Sequence, residues 1–411
     1  MIGPLAAQDS PSYSAGQLAI APDETLVPLT DPVLAEISPE RRFSLGLDTL
    51  VREDFLRLDN KRVLVVTNRA AVDSEGRHLL ETLLRARRPQ VTRVLIIDDE
   101  LPQPARSSAM NKVLATRPDV RTFVRSERSL RPTESMMTDA DVVVVDLALR
   151  GARFLPEFAF LGAVLEQASL AGLPVMILDR PDALTTDPEG PVGYESEYGS
   201  VESFLPTVAV PALTTAETAQ LLNNAFGINV ELRIVPILNW KRMDGYKPLA
   251  EAHRLAGANP AESLDDWVAY TDDATASLAA VAALLPDGMK PRLSPGTLEI
   301  TVPKDAVRFV SELAPLQVPG LASSRAGDKV VRLTAQDNLP IMQAAIALWL
   351  AAIDQEPSLL PPEGESGPFG TPLIVAALHR DLKPEQVARA WANDPATIAA
   401  LTQRKEALRY Q

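Results

Sequence analysis

From about residue 44 onward, short apolar runs alternate with longer stretches whose apolar positions recur at helical spacing. Arg62–Thr67 (RVLVVT) is a continuous apolar run with polar flanks, and Gly76–Arg87 follows with Leu79, Leu80, Leu83 and Leu84 at helical positions. Next come a strand at Val94–Ile97, a helical stretch near Ser107–Ala115 and a short run at Val120–Val124. Asp141–Val145 (DVVVV) is the clearest strand of the chain. Pro156–Ala171 reads as a helix that stops at Gly172, a residue suited to the left-handed position just past a helix end. Pro174–Leu178 (PVMIL) is the next strand, and a helix at Thr215–Ala225 and a strand at Asn229–Pro236 close the series. Runs this apolar do not alternate inward and outward, so they are predicted to be buried on both faces, as parallel strands are. Strands separated by helices imply right-handed crossovers. The predicted fold class is therefore α/β, a sandwich built on a mainly parallel sheet.

The second half is less regular. It offers a helix near Glu262–Leu285, a strand at Thr297–Val302, a helix near Asp305–Leu313 and a strand at Lys329–Leu333. Helices follow at Pro340–Ile353, Pro372–His379, Pro384–Trp391 and Pro395–Tyr410, with proline recurring in first turns, where its missing N–H costs nothing. Residues 8–40 are rich in Pro, Ser, Asp and Thr, and residues 356–370 form a Pro/Gly linker. The expected division is an irregular arm over 1–43, an α/β domain over 44–245 and a smaller domain over 246–411.

Length and composition narrow the class. At 411 residues the chain has room for about two to three domains. With 46% hydrophobic and 23% charged residues it is neither fibrous nor wholly disordered. The longest apolar runs, such as Val142–Val145, fall far short of the roughly 20 residues of a spanning helix, so no transmembrane segment is expected. A net charge of −14 repels nucleic acid and anionic lipid, and neither is expected as a partner. Without cysteine there are no disulfides, thiolate nucleophiles or cysteine metal sites. His78, His253 and His379 are widely spaced and form no metal-binding pair. No GxGxxG follows the first strand, where Asn68-Arg69-Ala70-Ala71 stands, and GxxxxGK[ST] and GxSxG are both absent. Neither a metal nor an organic cofactor is expected. Met1–Gln8 (MIGPLAAQ) has the small-residue end of a secretory signal without its basic and apolar regions, which leaves a cytoplasmic protein and a chain beginning inside a shortened signal both open.

In open parallel sheets, ligands bind beyond the carboxyl ends of the strands. Four such ends are polar here: Thr67-Asn68-Arg69, Asp98-Asp99-Glu100, Asp146 and Asp179-Arg180. Carboxylates converging with arginine and an amide suit a sugar, and two carboxyls flanking a glycosidic bond act as acid and base. The plainer reading is that strand ends are polar because the chain exits to solvent there. Gly151-Ala152-Arg153 places a guanidinium either near an anion or on a turn leading into a helix. Trp240, beside Lys241-Arg242, is either a stacking surface for a sugar or a core residue.

Several of these segments together resemble a known family. LGLDTL (45–50), KRVLVVTNRAAVDSEGR (61–77), DLALRGARF (146–154) and LDRPDA (178–183) are similar in kind and order to motifs of the bacterial exo-β-N-acetylmuramidases, long known only as a domain of unknown function. Gly364–Thr371, Lys383–Trp391 and Gln403–Tyr410 extend the resemblance, which covers most of 44–411 with a poor middle at about 243–325. It implies a Rossmann-like α/β domain followed by a smaller α+β domain, removal of terminal N-acetylmuramic acid from peptidoglycan fragments, and a place in the cell envelope or periplasm.

The site residues carry over incompletely. Glu100 falls where the family's presumed catalytic glutamate lies, but the histidine expected beside it is replaced by Leu101-Pro102. Leu147-Ala148-Leu149 stands where the family has an amide and a second carboxylate, and Leu155-Pro156-Glu157 where it has tyrosines. A Ser-Glu-Gly-Arg-Gly-Thr loop has no counterpart. The retained candidates are Glu100 as catalytic acid, with Asn68, Asp146, Arg153, Asp179 and Arg180 binding substrate. General acid–base work needs a positioned carboxyl and its orienting partners. The resemblance therefore implies a divergent, catalytically impaired homologue that binds a peptidoglycan-derived sugar or a protein partner. The alternative is an active hydrolase using Glu100.

Overall fold

The computed structural model describes residues 43–68, 70–97, 116–117, 119–125, 130–182, 184, 187–193, 206–255, 273–336 and 338–410. The expected arm, the helix near Ser107–Ala115, the start of the helix near Glu262, Trp267 and Glu100 with its neighbours Asp98, Asp99, Leu101 and Pro102 lie outside these residues.

Among the described residues of the first half there are eight strands: β1 Arg62–Thr67, β2 Gln90–Ile97, β3 Arg121–Arg125, β4 Val142–Asp146, β5 Val175–Leu178, β6 Glu189–Val192, β7 Val208–Val210 and β8 Leu232–Val235. Six of them form one sheet in the order β3-β2-β1-β4-β5-β8, and every pairing in it is parallel. β4 lies in the interior of this sheet, between β1 and β5. Its burial is complete, as the unbroken valine run requires. Alternate residues serve opposite faces. Val66, Val143, Val145 and Ile177 pack with the helix Pro156–Leu170, while Val65, Val144, Met176 and Leu178 pack with Leu47, Leu50, Leu79 and Leu80. The Pro156–Leu170 helix is apolar nearly all round, because it is also covered on its far side. It ends at Gly172, which takes φ +66°.

β6 and β7 form a separate antiparallel pair. The turn-rich sequence after Leu178 hides them: β6 reads Glu-Gly-Pro-Val and owes its place to partners rather than to propensity. Glu189 accepts the N–H groups of Met342 (3.1 Å) and Gln343 (3.1 Å), so it caps a helix more than 150 positions away in sequence.

The C-terminal part carries β9 Pro291–Ser294, β10 Thr297–Thr301, β11 Leu321–Arg325 and β12 Val330–Ala335, an antiparallel sheet in the order β11-β12-β10-β9. Helices Asp273–Ala283, Ala306–Leu313 and Ile341–Gln355 cover one of its faces, burying Leu298, Ile300, Val331 and Leu333. Helices Pro372–His379, Pro384–Ala392 and Pro395–Ala407 follow, each with proline in its first turn. No described helix is long and apolar enough to cross a membrane.

Gly46 opens the helix Gly46–Arg52 directly against two strand ends. Its N–H donates to the Asp179 carbonyl (3.1 Å), and a Cβ there would lie 2.5 Å from both the Asp179 nitrogen and the Val235 oxygen. Gly46→Ala must push this helix off β5 and β8. The expected loss is on the order of 2–4 kcal/mol, as for other overpacking changes in a tight core, read as a fall in the urea midpoint at unchanged m-value; a midpoint equal to wild type would contradict the packing.

Candidate functional site

Asn68 follows β1, Asp146 ends β4 and Asp179 follows β5, so the parallel sheet brings all three to its carboxyl edge. Each of them is buried there and engaged with protein partners. The Asn68 amide donates to the Ala148 carbonyl (2.9 Å) and accepts the Ala148 N–H (3.2 Å), clasping the loop after β4. Arg180 donates through Nε and Nη2 to the two oxygens of Asp146, with the Nη2 contact at 2.9 Å. Both members of this pair are sealed from solvent. Burial raises the Asp146 carboxyl from its ordinary value, against the opposing pull of Arg180.

Asp179 is the most heavily bonded of the three. Oδ1 accepts the N–H groups of Arg180 (2.9 Å) and Ala216 (2.8 Å). Oδ2 accepts the hydroxyls of Thr214 (3.2 Å) and Tyr410 (2.6 Å). Burial still pushes its pKa up to about 6. One turn into the helix Thr215–Ala225, Glu217 forms a reciprocal capping pair with Thr214 (3.0 and 3.2 Å). It also accepts Arg242 Nη2 (2.5 and 2.6 Å) and the backbone N–H of Arg409 (2.7 Å). The Thr-Thr-Ala-Glu spacing of that capping box was visible in the sequence; its second role, gathering the C-terminal residues, was not.

Arg153 is fully buried, and its Nη2 donates to the Phe369 carbonyl (3.2 Å). The guanidinium, which the sequence left either near an anion or on a turn leading into a helix, joins the loop after β4 to a segment more than 200 residues away. Leu149 and Leu155, which stand where the resemblance implies polar residues, are buried in the apolar cores, as is Leu147. The site therefore collects Asn68, Asp146, Asp179 and Arg180 at one edge, while Glu100 lies outside the described residues.

Sequence reasoning missed His78, which sits behind Asn68. Its Nδ1 accepts the Leu80 N–H (3.1 Å) at the start of the helix Leu79–Arg85, so Nε2 carries the proton and donates to the Asn68 carbonyl (2.9 Å). Burial lowers its pKa to about 4.

Beside this network lies a cavity of about 220 Å³. Asp182, Trp240, Arg242, Asp244, Lys247 and Asp273 line it, with Asn338 at the wall. Trp240 meets Tyr410 edge-on at 5.1 Å and donates Nε1–H to the Gly245 carbonyl (2.9 Å), which settles it as a mostly buried residue that still borders the cavity. Asp182 packs over Gly151, whose φ is +63° and where any Cβ would collide with the carboxyl. Burial pushes Asp182 up to about 7, with Arg242 opposing and Asp273 adding to the rise. Asp182, which lies in the LDRPDA segment but was not singled out from it, and Asp273 are further groups on this wall.

Comparison with known proteins places this architecture. Residues 63–255 match the family described as exo-beta-N-acetylmuramidase NamZ, N-terminal. Through that segment, just under half of the 411 residues, the chain is similar to the exo-β-N-acetylmuramidase family. The peptidoglycan beta-N-acetylmuramidase NamZ of Bacillus subtilis (strain 168) is 27% identical over 201 residues, which is 48% of each protein. The chain thus matches about half the length of that curated relative. Two DUF1343 family proteins of Bacteroides fragilis share the fold. One superposes with a TM-score of 0.62 at 18% identity over 91% of this chain and 100% of its own. The other gives 0.56 at 16% identity over 90% and 99%.

The His78 pKa fixes the sign of a pH effect. Between pH about 4 and 6.5 the unfolded chain holds a proton on this residue that the folded chain lacks, so its contribution is present above pH 6.5 and lost as pH falls toward 4. Asp179, raised to about 6, acts oppositely in part of this window, so the test is a difference. Asn at 78 keeps an acceptor for Leu80 N–H without titrating. Relative to His78→Asn, wild type is expected to lose on the order of 3 kcal/mol of unfolding free energy between pH 7 and 4. Parallel pH profiles would contradict a buried neutral histidine.

Proposed function

We propose that this protein is an envelope-located homologue of the exo-β-N-acetylmuramidases that binds a terminal sugar of peptidoglycan fragments and hydrolyses it poorly. The family match over residues 63–255 and the likeness to a peptidoglycan beta-N-acetylmuramidase support a peptidoglycan-related sugar as ligand. One observation carries the loss of catalysis: the described carboxylates at the sheet's carboxyl edge are committed to protein donors. Asp146 is paired with Arg180, and Asp179 receives four hydrogen bonds. A carboxyl held this way cannot readily take up and release a proton at a glycosidic oxygen. The loss of polar neighbours that the resemblance implies supports the same reading, since Leu149 and Leu155 are packed into apolar cores.

Removing the partners of an acid–base pair typically costs about 10²–10⁴ in rate. Turnover of a chromogenic muramic-acid glycoside is therefore expected to fall roughly a thousandfold below that of an intact family member, with Glu100→Gln changing it little. Robust turnover that vanishes in Glu100→Gln would overturn this reading and establish Glu100 as the general acid.

A further inference from the structure

The antiparallel sheet of the C-terminal part is covered on one side only. Helices take the side that carries Leu298, Ile300, Val331 and Leu333, and no described element covers the other. Side chains alternate along a strand, so the pairing register fixes what the open side presents. Glu299 on β10 lies between Arg332 on β12 and Arg292 on β9, with Ser324 of β11 beyond Arg332. In the next row Thr297 lies between Thr334 and Ser294. Thr301 takes the same side further along β10, beside Lys290, whose carbonyl accepts the Thr301 N–H (3.2 Å). Lys290, Arg292, Ser294, Ser324, Arg332 and Thr334 are all exposed.

A solvated face of an antiparallel sheet ordinarily mixes charges of both signs. Here three cations, Lys290, Arg292 and Arg332, stand against one carboxylate, Glu299. The chain as a whole has the opposite balance, with 54 acidic residues to 40 basic ones. Arg332 donates to Glu299 from Nε (3.2 Å) and Nη2 (2.7 Å), an exposed pair of the kind that contributes little and is readily exchanged for a ligand's acid group. Arg292 and Lys290 have no ion-pair partner among the described residues. No aromatic ring stands in these rows, so the face offers nothing for a base to stack on. It offers hydroxyls and guanidinium groups on a flat surface, which suit a hydroxyl-rich chain bearing acid groups. Arg332 and Arg292 are two strand spacings apart, roughly 10 Å. Two sugars of an extended β-linked chain span a similar length, so acid groups on alternate sugars reach both arginines.

We infer that the open face of this sheet binds a linear glycan strand bearing a carboxylate on alternate sugars, as a peptidoglycan strand does once freed of its stem peptides. The inference rests on the reading of this chain as a binder of peptidoglycan sugars. It adds a second surface, one that holds the polymer rather than its terminal sugar. The lactyl carboxylates meet Arg292 and Arg332, and the serines and threonines beside them exchange hydrogen bonds with ring hydroxyls.

Binding of the full chain to immobilised glycan strands stripped of stem peptides tests this. The double substitution Arg292→Gln, Arg332→Gln is expected to weaken binding about tenfold. Its urea midpoint and its affinity for a short muropeptide fragment are expected to match wild type. Raising the salt concentration, or reducing the lactyl carboxylates to alcohols, is expected to weaken strand binding as well. Strand affinity unchanged in the double variant would overturn the inference, while fragment binding left the sugar-binding reading standing. Equal binding of the reduced strands would overturn it too. So would tighter binding of single-stranded RNA or of anionic lipid vesicles than of the strands, which would mark a surface for polyanions in general. If neither strands nor muropeptide fragments bind, the sugar-binding reading fails together with it.

Discussion

Two carboxylates buried at the start of one helix, Asp179 and Glu217, set the conditions that the rest of this edge must meet. Both are fully buried. A carboxylate placed in low dielectric without donors is prohibitively unstable. The donors come from everywhere around it: the helix N-terminus through Ala216, the loop through Arg180 N–H and Thr214, the turn at Arg242, and the chain's last residues through Arg409 N–H and the Tyr410 hydroxyl. Arg404 adds to the same junction by donating to the Pro211 and Ala212 carbonyls. Desolvation thus becomes a device of assembly, because segments distant in sequence must arrive together for either charge to be tolerated.

That requirement has a functional consequence. The loop geometry that holds Arg242 against Glu217 also shapes the wall of the cavity, and Tyr410, which donates to Asp179, supports Trp240 edge-on. The groups a family resemblance marks as substrate-binding are used here to join segments of the fold. Of the carboxyls lining the cavity, Asp182 lies in the LDRPDA segment, while Asp244 and Asp273 come from the stretch the resemblance covers poorly.

The parallel sheet was legible because its strands are continuous β-branched runs. Arg62–Thr67 and the helix Thr215–Ala225 agree with the sequence reading residue for residue, and β4 differs by one position. Such runs need no partner information to be recognised. The strands at Glu189–Val192, Pro291–Ser294 and Leu321–Arg325 were not legible, since they contain proline, glycine, serine or arginine and are strands only by virtue of their neighbours. At the site, the strand-end rule placed Asn68, Asp146 and Asp179 at one edge. It gave no sign that Tyr410 would reach Asp179 across 231 positions or that Asp182 and Asp273 would line one cavity, because such proximity depends on topology rather than spacing.

The central claim is that the strand-end charges hold the fold rather than contact a ligand, and Asp146→Asn examines it most directly. The substitution leaves Arg180 buried without its counter-charge, which typically costs about 3–5 kcal/mol. Unfolding free energy and sugar affinity are measured on the same sample at low temperature, where the variant stays folded. Stability lower by that amount with the affinity for a muropeptide fragment within twofold of wild type is the predicted result. Unchanged stability with affinity abolished would contradict it.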